Sequence, residues 1–596
     1  MIPGINAPFI QLSKVVGASV DDLKLLAVFL SSYPLAGLIK RIPDNKPQWR
    51  NLYIVGVSLF YLVGLFDLYD GVRTMMYSAV GSYAIAYYID GSLMPWIAFL
   101  FLMGHLSINH IERQILNDPS TVDITGGQMV LVMKLSAFCW NVHDGRLKPD
   151  LMTDTQKERA IYKMPNPLDF AGYVFFFPSL FAGPAFDFVD YQRFIETTMF
   201  EVPPGTKNPP PTRGKRRIPR SGRPAARKAV IGVIWIFLFL QFGKWYNVPL
   251  TLSDQYQKLS FLRRVWILQM LGFTSRLKYY GVWSLTEGAC VMAGIGYNGL
   301  DPVTGKARWD RTENVNPWGI ETAQNSRAYL DNWNKNTNKW LRNYIYLRVT
   351  PKGKKPGFRA TLATFLTSAF WHGFYPGYYL TFLMGAFIQT VAKNCRRYFR
   401  PFFLTPDGSQ PTKYKIYYDI ASYLATQLAF CYTTAPFVIL GFGDSLKVWA
   451  RVYFYGLLGV LGFMAFFASP AKVHLAKRLA KRNYPYVQKT ASQETNYPPS
   501  LGIPSDPGRE IDDAIEEIRH EVEVRRRRGS TVTMPTGESL KGAVEARIGR
   551  KLTFPEFRFG SSAAVHSANV VGHSGKAERE IGIEGAGLTA NDKKLK

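Results

Sequence analysis

The feature that most constrains this chain is a series of aromatic-rich apolar blocks that recurs up to residue 470 and then stops. A hydrocarbon core takes about 20 mostly apolar residues per helical crossing. Candidate crossings fall at 23–39, 52–66, 75–89, 93–108, 127–140, 170–181, 230–242, 266–282, 282–296, 361–391, 416–440 and 448–468. Because unpaired backbone polar groups are costly in lipid, such blocks fold as helices. The blocks predict an all-α, polytopic integral membrane protein with about ten to twelve transmembrane or re-entrant helices. Several blocks are short or carry Lys134 or His372, which suits segments buried among other helices. A large soluble helical protein is a poor match to so many aromatic-rich apolar blocks.

Residues 1–470 read as one membrane domain and 471–596 as a polar tail, largely disordered for want of apolar residues to bury. Within the tail, 509–528 place Ile511, Ile515, Ile518 and Val522 at helical spacing, with acids early and arginines late. That order suits the helix dipole and predicts a short helix. The net charge of +28 is uneven, and residues 203–228 carry many Lys and Arg among Pro and Gly, with no acid. This reads as a disordered cytosolic loop under the positive-inside bias, with attraction to anionic lipid as a second role. The run has no interleaved aromatics and no fold signature, which argues against nucleic acid as a partner.

No basic start with a small-residue cleavage site precedes the first block, so an early helix serves as an uncleaved signal. The four cysteines have no CxxC pair and predict packing, with neither a disulfide framework nor a metal site. The terminal Lys593 and Lys594 resemble a dilysine retrieval address read by coat proteins, which places the C-terminus in the cytosol and the protein in the endoplasmic reticulum membrane. Residues 294–299 match GxGxxG, yet the βαβ context that motif needs is missing, so its glycines read as a helix end and turn.

Two constellations carry chemistry. Residues 331–348, read as one helix, set Trp333, Trp340, Leu341, Tyr344 and Leu347 on an apolar stripe and Asn334, Asn338 and Arg342 on another face. The segment SAFWHGFYPGYY, 368–379, puts His372 in an apolar run after Trp371, before a Pro-Gly break and an aromatic wall with Tyr378 and Tyr379. Imidazole in such surroundings is costly and is the side chain best matched to proton transfer near neutral pH. His110 and His143, beside charged neighbours, read as loop residues, and His105 as a structural hydrogen-bonder.

Together, WNKNTNKWLRNYIYLR and SAFWHGFYPGYY resemble the membrane-bound O-acyltransferase family, and more closely its lysophospholipid acyltransferase branch, most like the broad-specificity fungal enzymes. The stretches DITGGQMVLVMK (123–134), WNVHDG (140–145), AGPAFDFVDY (182–191) and YGVWSLTEGAC (280–290) agree, and the likeness spans about 20–470. The resemblance implies transfer of an acyl chain from acyl-CoA, a co-substrate, to the free hydroxyl of a lysophospholipid, with no cofactor or metal. It maps the catalytic roles onto His372, as general base, and Asn334, which either orients the acceptor or donates to the oxyanion. Substrate-binding candidates are Trp333, Asn338, Trp340, Arg342, Trp371, Tyr378 and Tyr379, with Gln128, Lys134, Asn141, Asp144 and Glu287 from the supporting stretches. Lys134, Arg342 and Arg348 are candidates for contacting phosphate, or else anchors at the membrane interface. No FYxDWWN motif of the neutral-lipid branch occurs. The alternatives are a polytopic transporter or scaffold, or acyl transfer to a protein or neutral lipid.

Overall fold

The computed structural model describes residues 4–116, 122–202, 210–212, 216–301, 304–350, 358–406, 410–482, 518, 522 and 537–548. The chain forms two compact units, Met1–Pro504 and Ser505–Lys596. Among the described residues the regular structure is helical, and extended pairing is limited to isolated bridges such as Leu300 with Ala307.

In the first unit α1 (Val20–Ile39) begins at Ser19, whose hydroxyl accepts the Asp22 amide at 3.0 Å. That contact satisfies one of the free donors of the first turn. Next come α2 (Met94–Leu116) and α3 (Thr125–Gly145). Almost the whole circumference of α3 is buried, which marks it as the helix the others surround. Further along are α4 (Gly222–Gly243) and α5 (Phe261–Ala293). These two pack closely enough that a Cβ on Gly281 would lie 2.5 Å from Ile236, and one on Gly232 2.8 Å from Leu285. Small residues at such crossings let backbones approach, as helices in lipid require.

The remaining helices used below are α6 (Ser326–Asn332), α7 (Lys335–Leu341), α8 (Phe358–His372), α9 (Pro376–Tyr398) and α10 (Lys415–Ile439). A bent pair follows, α11 (Phe442–Arg451) and α12 (Tyr455–Ala468), turned by 80°. Among the described residues three helices, Val20–Ile39, Met94–Leu116 and Gly222–Leu252, are long and apolar enough to cross a membrane, and a fourth if the bent pair counts as one span. Their outward faces are greasy: Val230, Val233, Ile234, Phe237 and Leu240 of α4 are exposed at helical spacing. Other expected crossings miss that standard for visible reasons. Helix α3 carries Gln128, Lys134, Asn141 and Asp144 into the interior, and the block at 361–391 is split between α8 and α9.

The expected disordered loop at 203–228 is partly structured. Residues 216–228 are placed, and α4 starts at Gly222, where Ala225 and Ala226 favour helix and Ser221 donates to the Val291 carbonyl at 2.7 Å. Helix Pro470–Lys481 continues past residue 470, with Leu479 packed on Tyr398 and Phe467. In the second unit Gly537–Ile548 is helical, in a stretch expected to lack structure. The helix expected at 509–528 lies outside the described residues, apart from 518 and 522. Gly294 ends α5 at φ +115°, the helix stop expected of that glycine.

Candidate active site

The apolar run of α8 delivers His372 at its C-terminal end, where Gly373 turns the chain at φ +118° and Pro376 starts α9. Glycine suits that backbone because a Cβ would be strained there. The half-buried imidazole sits among aromatic rings. Phe437 of α10 meets it edge-on with centroids 4.9 Å apart, Phe382 stacks at 5.3 Å and Tyr378 lies at 5.6 Å. Its ring nitrogens have no hydrogen-bond partner among the described residues. An imidazole left unpaired yet reachable can take a proton from a substrate.

Trp371 is buried, donates to the Met129 carbonyl at 3.0 Å, and lies 6.0 Å from Trp340. Trp340 in turn donates to Ser136 at 2.9 Å. Both indoles thus tie the two motifs to α3. Tyr379 is half-buried and forms no ring pair with His372.

The second motif is not the single helix expected over 331–348. It breaks into α6, α7 and a π-helical turn at Arg342–Tyr346, with Asn334 at the break in left-handed backbone, φ +44° and ψ +53°. Asparagine tolerates that conformation better than other side chains. Neighbouring amides explain the break, since short polar side chains compete for backbone groups. Asn338 donates to the carbonyls of Leu330 at 2.9 Å and Trp333 at 2.7 Å, and Asn332 donates to that of Ala328 at 2.8 Å. Asn334 is half-buried, and its side-chain amide has no partner among the described residues. The one-face alignment of Asn334, Asn338 and Arg342 is therefore replaced: Asn334 is the free amide, Asn338 holds the turn, and Arg342 opens the π-turn.

Trp333 packs against Tyr279, Tyr280 and Trp283 of α5, with centroids 5.5, 6.2 and 5.0 Å away. The two motifs meet instead at the Trp340–Trp371 ring pair.

The supporting stretches supply the frame. Asp144 is buried and paired through both oxygens with Arg348, whose guanidinium lies 4.2 Å above the Trp140 ring. Buried Glu287 is bonded to Lys228 at 2.5 Å and accepts the amides of Asn314 at 2.6 Å and Val315 at 3.1 Å. Asn314 then accepts the amide of Asn336 at 3.2 Å, and its carbonyl accepts that of Lys335 at 2.8 Å. Glu287 thus fixes the segment after Asn334. Buried Lys134 donates to the Tyr173 carbonyl, with its ammonium 4.4 Å from the Tyr173 ring centroid and 4.9 Å from that of Phe186. Gln128 accepts from Asn109 at 2.6 Å, and the Asn141 side chain lies 3.0 Å from the Tyr344 hydroxyl oxygen.

Beside Trp340 lie two narrow adjoining clefts that share Asp187, Asp190, Arg311 and Lys339. Asp187 is buried against Arg159 at 3.4 Å and accepts the Tyr344 hydroxyl at 2.7 Å. Burial pushes its carboxyl up, but Arg159, Lys339 and these hydrogen bonds more than offset that and hold it below the ordinary carboxylate range. Arg311 pairs with Asp190 at 2.8 Å.

His110 and His143 are helical residues, in contrast to the expected loops. His110 falls in register with buried Leu102 and Leu106 on α2, and that four-residue spacing was the overlooked signal. His143 sits in the last turn of α3. His105 pairs with Ser78 at 2.9 Å, the structural bond expected of it. No spacing pattern in the sequence links Asp187, Arg311 and Lys339, which lie far apart along the chain.

The model of the MBOAT, membrane-bound O-acyltransferase family matches residues 118–435. The chain is similar to a lysophospholipid acyltransferase of Schizosaccharomyces pombe, 45% identical over 82% of this chain and 94% of the relative. A lysophospholipid acyltransferase of Saccharomyces cerevisiae is 45% identical over 74% of each chain. Membrane-bound glycerophospholipid O-acyltransferase 1 of Mus musculus is 31% identical over 79% of this chain and 94% of its own length.

Proposed function

We propose, from the premise that this chain belongs to the membrane-bound O-acyltransferase family, that His372 is the general base of its reaction and acyl-CoA the donor. The protein is a lysophospholipid acyltransferase. The observation that supports the base is the half-buried imidazole of His372, unpaired among the described residues and walled by Phe382, Phe437 and Tyr378.

His372 removes the proton of the lysophospholipid hydroxyl as its oxygen attacks the thioester carbonyl. The C–O ester bond forms, the C–S bond breaks, and the departing thiolate takes the proton back as CoA. A positioned base of this kind contributes about 10²–10⁴ in rate. Asn334, held in left-handed backbone with a free amide, donates to the developing oxyanion or orients the acceptor. No acyl-enzyme is needed. Lys134 and Arg348 are committed to protein partners inside the fold, so neither phosphate contact nor anchoring at the membrane interface is their role.

In the same reading, the membrane domain crosses the bilayer more often than its three long apolar helices alone provide. Lys593 and Lys594 address it through coat proteins to the endoplasmic reticulum with a cytosolic C-terminus. The test is acylation by microsomes supplied with acyl-CoA and a panel of lysophospholipids, with His372→Ala at equal abundance. Wild type should form diacyl phospholipid and the variant should not; an equally active variant defeats the reading.

A further inference from the structure

Helix ends leave carbonyls without intrahelical partners, and α8 ends directly at His372. One of these carbonyls, that of Phe370, accepts the Gly373 amide at 3.0 Å. The Trp371 carbonyl, on the peptide that joins Trp371 to His372, lies 3.0 Å from Nε2 of His110. A carbonyl only accepts, so Nε2 carries the hydrogen and donates. His110 is buried on α2, and the bond spans 261 residues of sequence.

The same ring lies flat against the turn. A Cβ on Gly373 would stand 3.0 Å from Nδ1 of His110 and 3.2 Å from its Cγ. Phe374 meets the ring edge-on at 6.4 Å. One imidazole therefore contacts the residue before His372 and the two after it, without being part of either motif. Asn109 ties the neighbouring position of α2 to Gln128 of α3 at 2.6 Å, which keeps the donor from drifting.

We propose that His110 is a positioning residue, whose Nε2–H holds the Trp371–His372 peptide plane and so aims the His372 ring at the substrate hydroxyl. The inference rests on His372 being the base. A misplacement of about 1 Å in a reacting group costs about 100-fold in rate. The loss falls on kcat, because the contacts of His110 are with the turn that carries His372.

The test compares His110→Leu, which keeps bulk but cannot donate, with His110→Gln, whose amide can reach the same carbonyl. Rates are measured on purified full-length protein in detergent with oleoyl-CoA and lysophosphatidylcholine, and folded protein is quantified by thermal melting. His110→Leu should lose about 100-fold in kcat with KM nearly unchanged, and His110→Gln should recover most of it. The proposal is overturned if the leucine variant keeps wild-type kcat, if glutamine is as poor as leucine, or if both variants fail to fold. A His372→Ala arm separates the two ideas. Activity retained there defeats the base itself, whereas its loss beside an active His110→Leu defeats only the positioning role.

Discussion

Replacing Asp144 with Asn removes one charge from a buried pair and leaves the shape nearly intact. The side chains of Asp144 and Arg348 are 2% and 14% exposed, and one guanidinium nitrogen lies 2.8 Å from Oδ1. Gln156 donates to the same oxygen at 3.1 Å, and the guanidinium sits over Trp140. Asparagine keeps a hydrogen-bond acceptor but leaves the Arg348 charge uncompensated where water is scarce. Breaking such a pair from one side costs about 3–5 kcal/mol. At roughly 2 °C per kcal/mol for a large domain, melting in detergent should fall by at least about 5 °C. Arg348→Gln alone should do similar damage. The double variant should be less destabilised than the sum, with a coupling of about 2 kcal/mol. Activity per folded molecule should keep the wild-type KM for lysophospholipid. If Asp144→Asn melts as wild type while KM rises tenfold or more, Asp144 binds substrate and the frame assignment is wrong.

Glu287→Gln should lower abundance and thermal stability, since Lys228 then loses its carboxylate; a pure KM effect with unchanged melting would contradict that role. Gly373→Ala should depress kcat, because alanine is strained at φ +118° and its Cβ presses on His110; a fully active variant would show that the turn is not set this way. Asp187 binds its proton less readily when folded than when unfolded. Its contribution is therefore complete at pH 7, starts to fall below about pH 3.9 and is lost as pH drops through the lower folded value. Asp187→Asn should lower melting at pH 7 and flatten the acid limb of the stability profile; an unchanged profile would refute the assignment.

The parts of this site that were legible in the sequence are local. Trp371, His372, Gly373 and Pro376 lie within a few residues, so an apolar run, a histidine and a break foretold a helix end with an imidazole on it. The break at Asn334 was hidden, because helical spacing does not register that Asn332 and Asn338 spend their amides on nearby carbonyls. Partners far apart in sequence were out of reach for the same reason. Nothing local ties Asp144 to Arg348, Glu287 to Lys228, or His110 to Trp371. Charge near a residue also misled. Glu112 and Arg113 suggested a loop at His110, although the four-residue spacing from Leu102 through Leu106 already carried the helix through it.

The central claim is that His372 moves the proton, and a single-turnover measurement tests it most directly. Purified wild type, His372→Ala and His372→Gln, matched for folded protein, would be mixed with excess lysophosphatidylcholine and limiting labelled oleoyl-CoA, then quenched over time. The account predicts that both variants still bind the thioester and transfer acyl chains about 10²–10⁴ times more slowly. Transfer at the wild-type rate by either variant would contradict it.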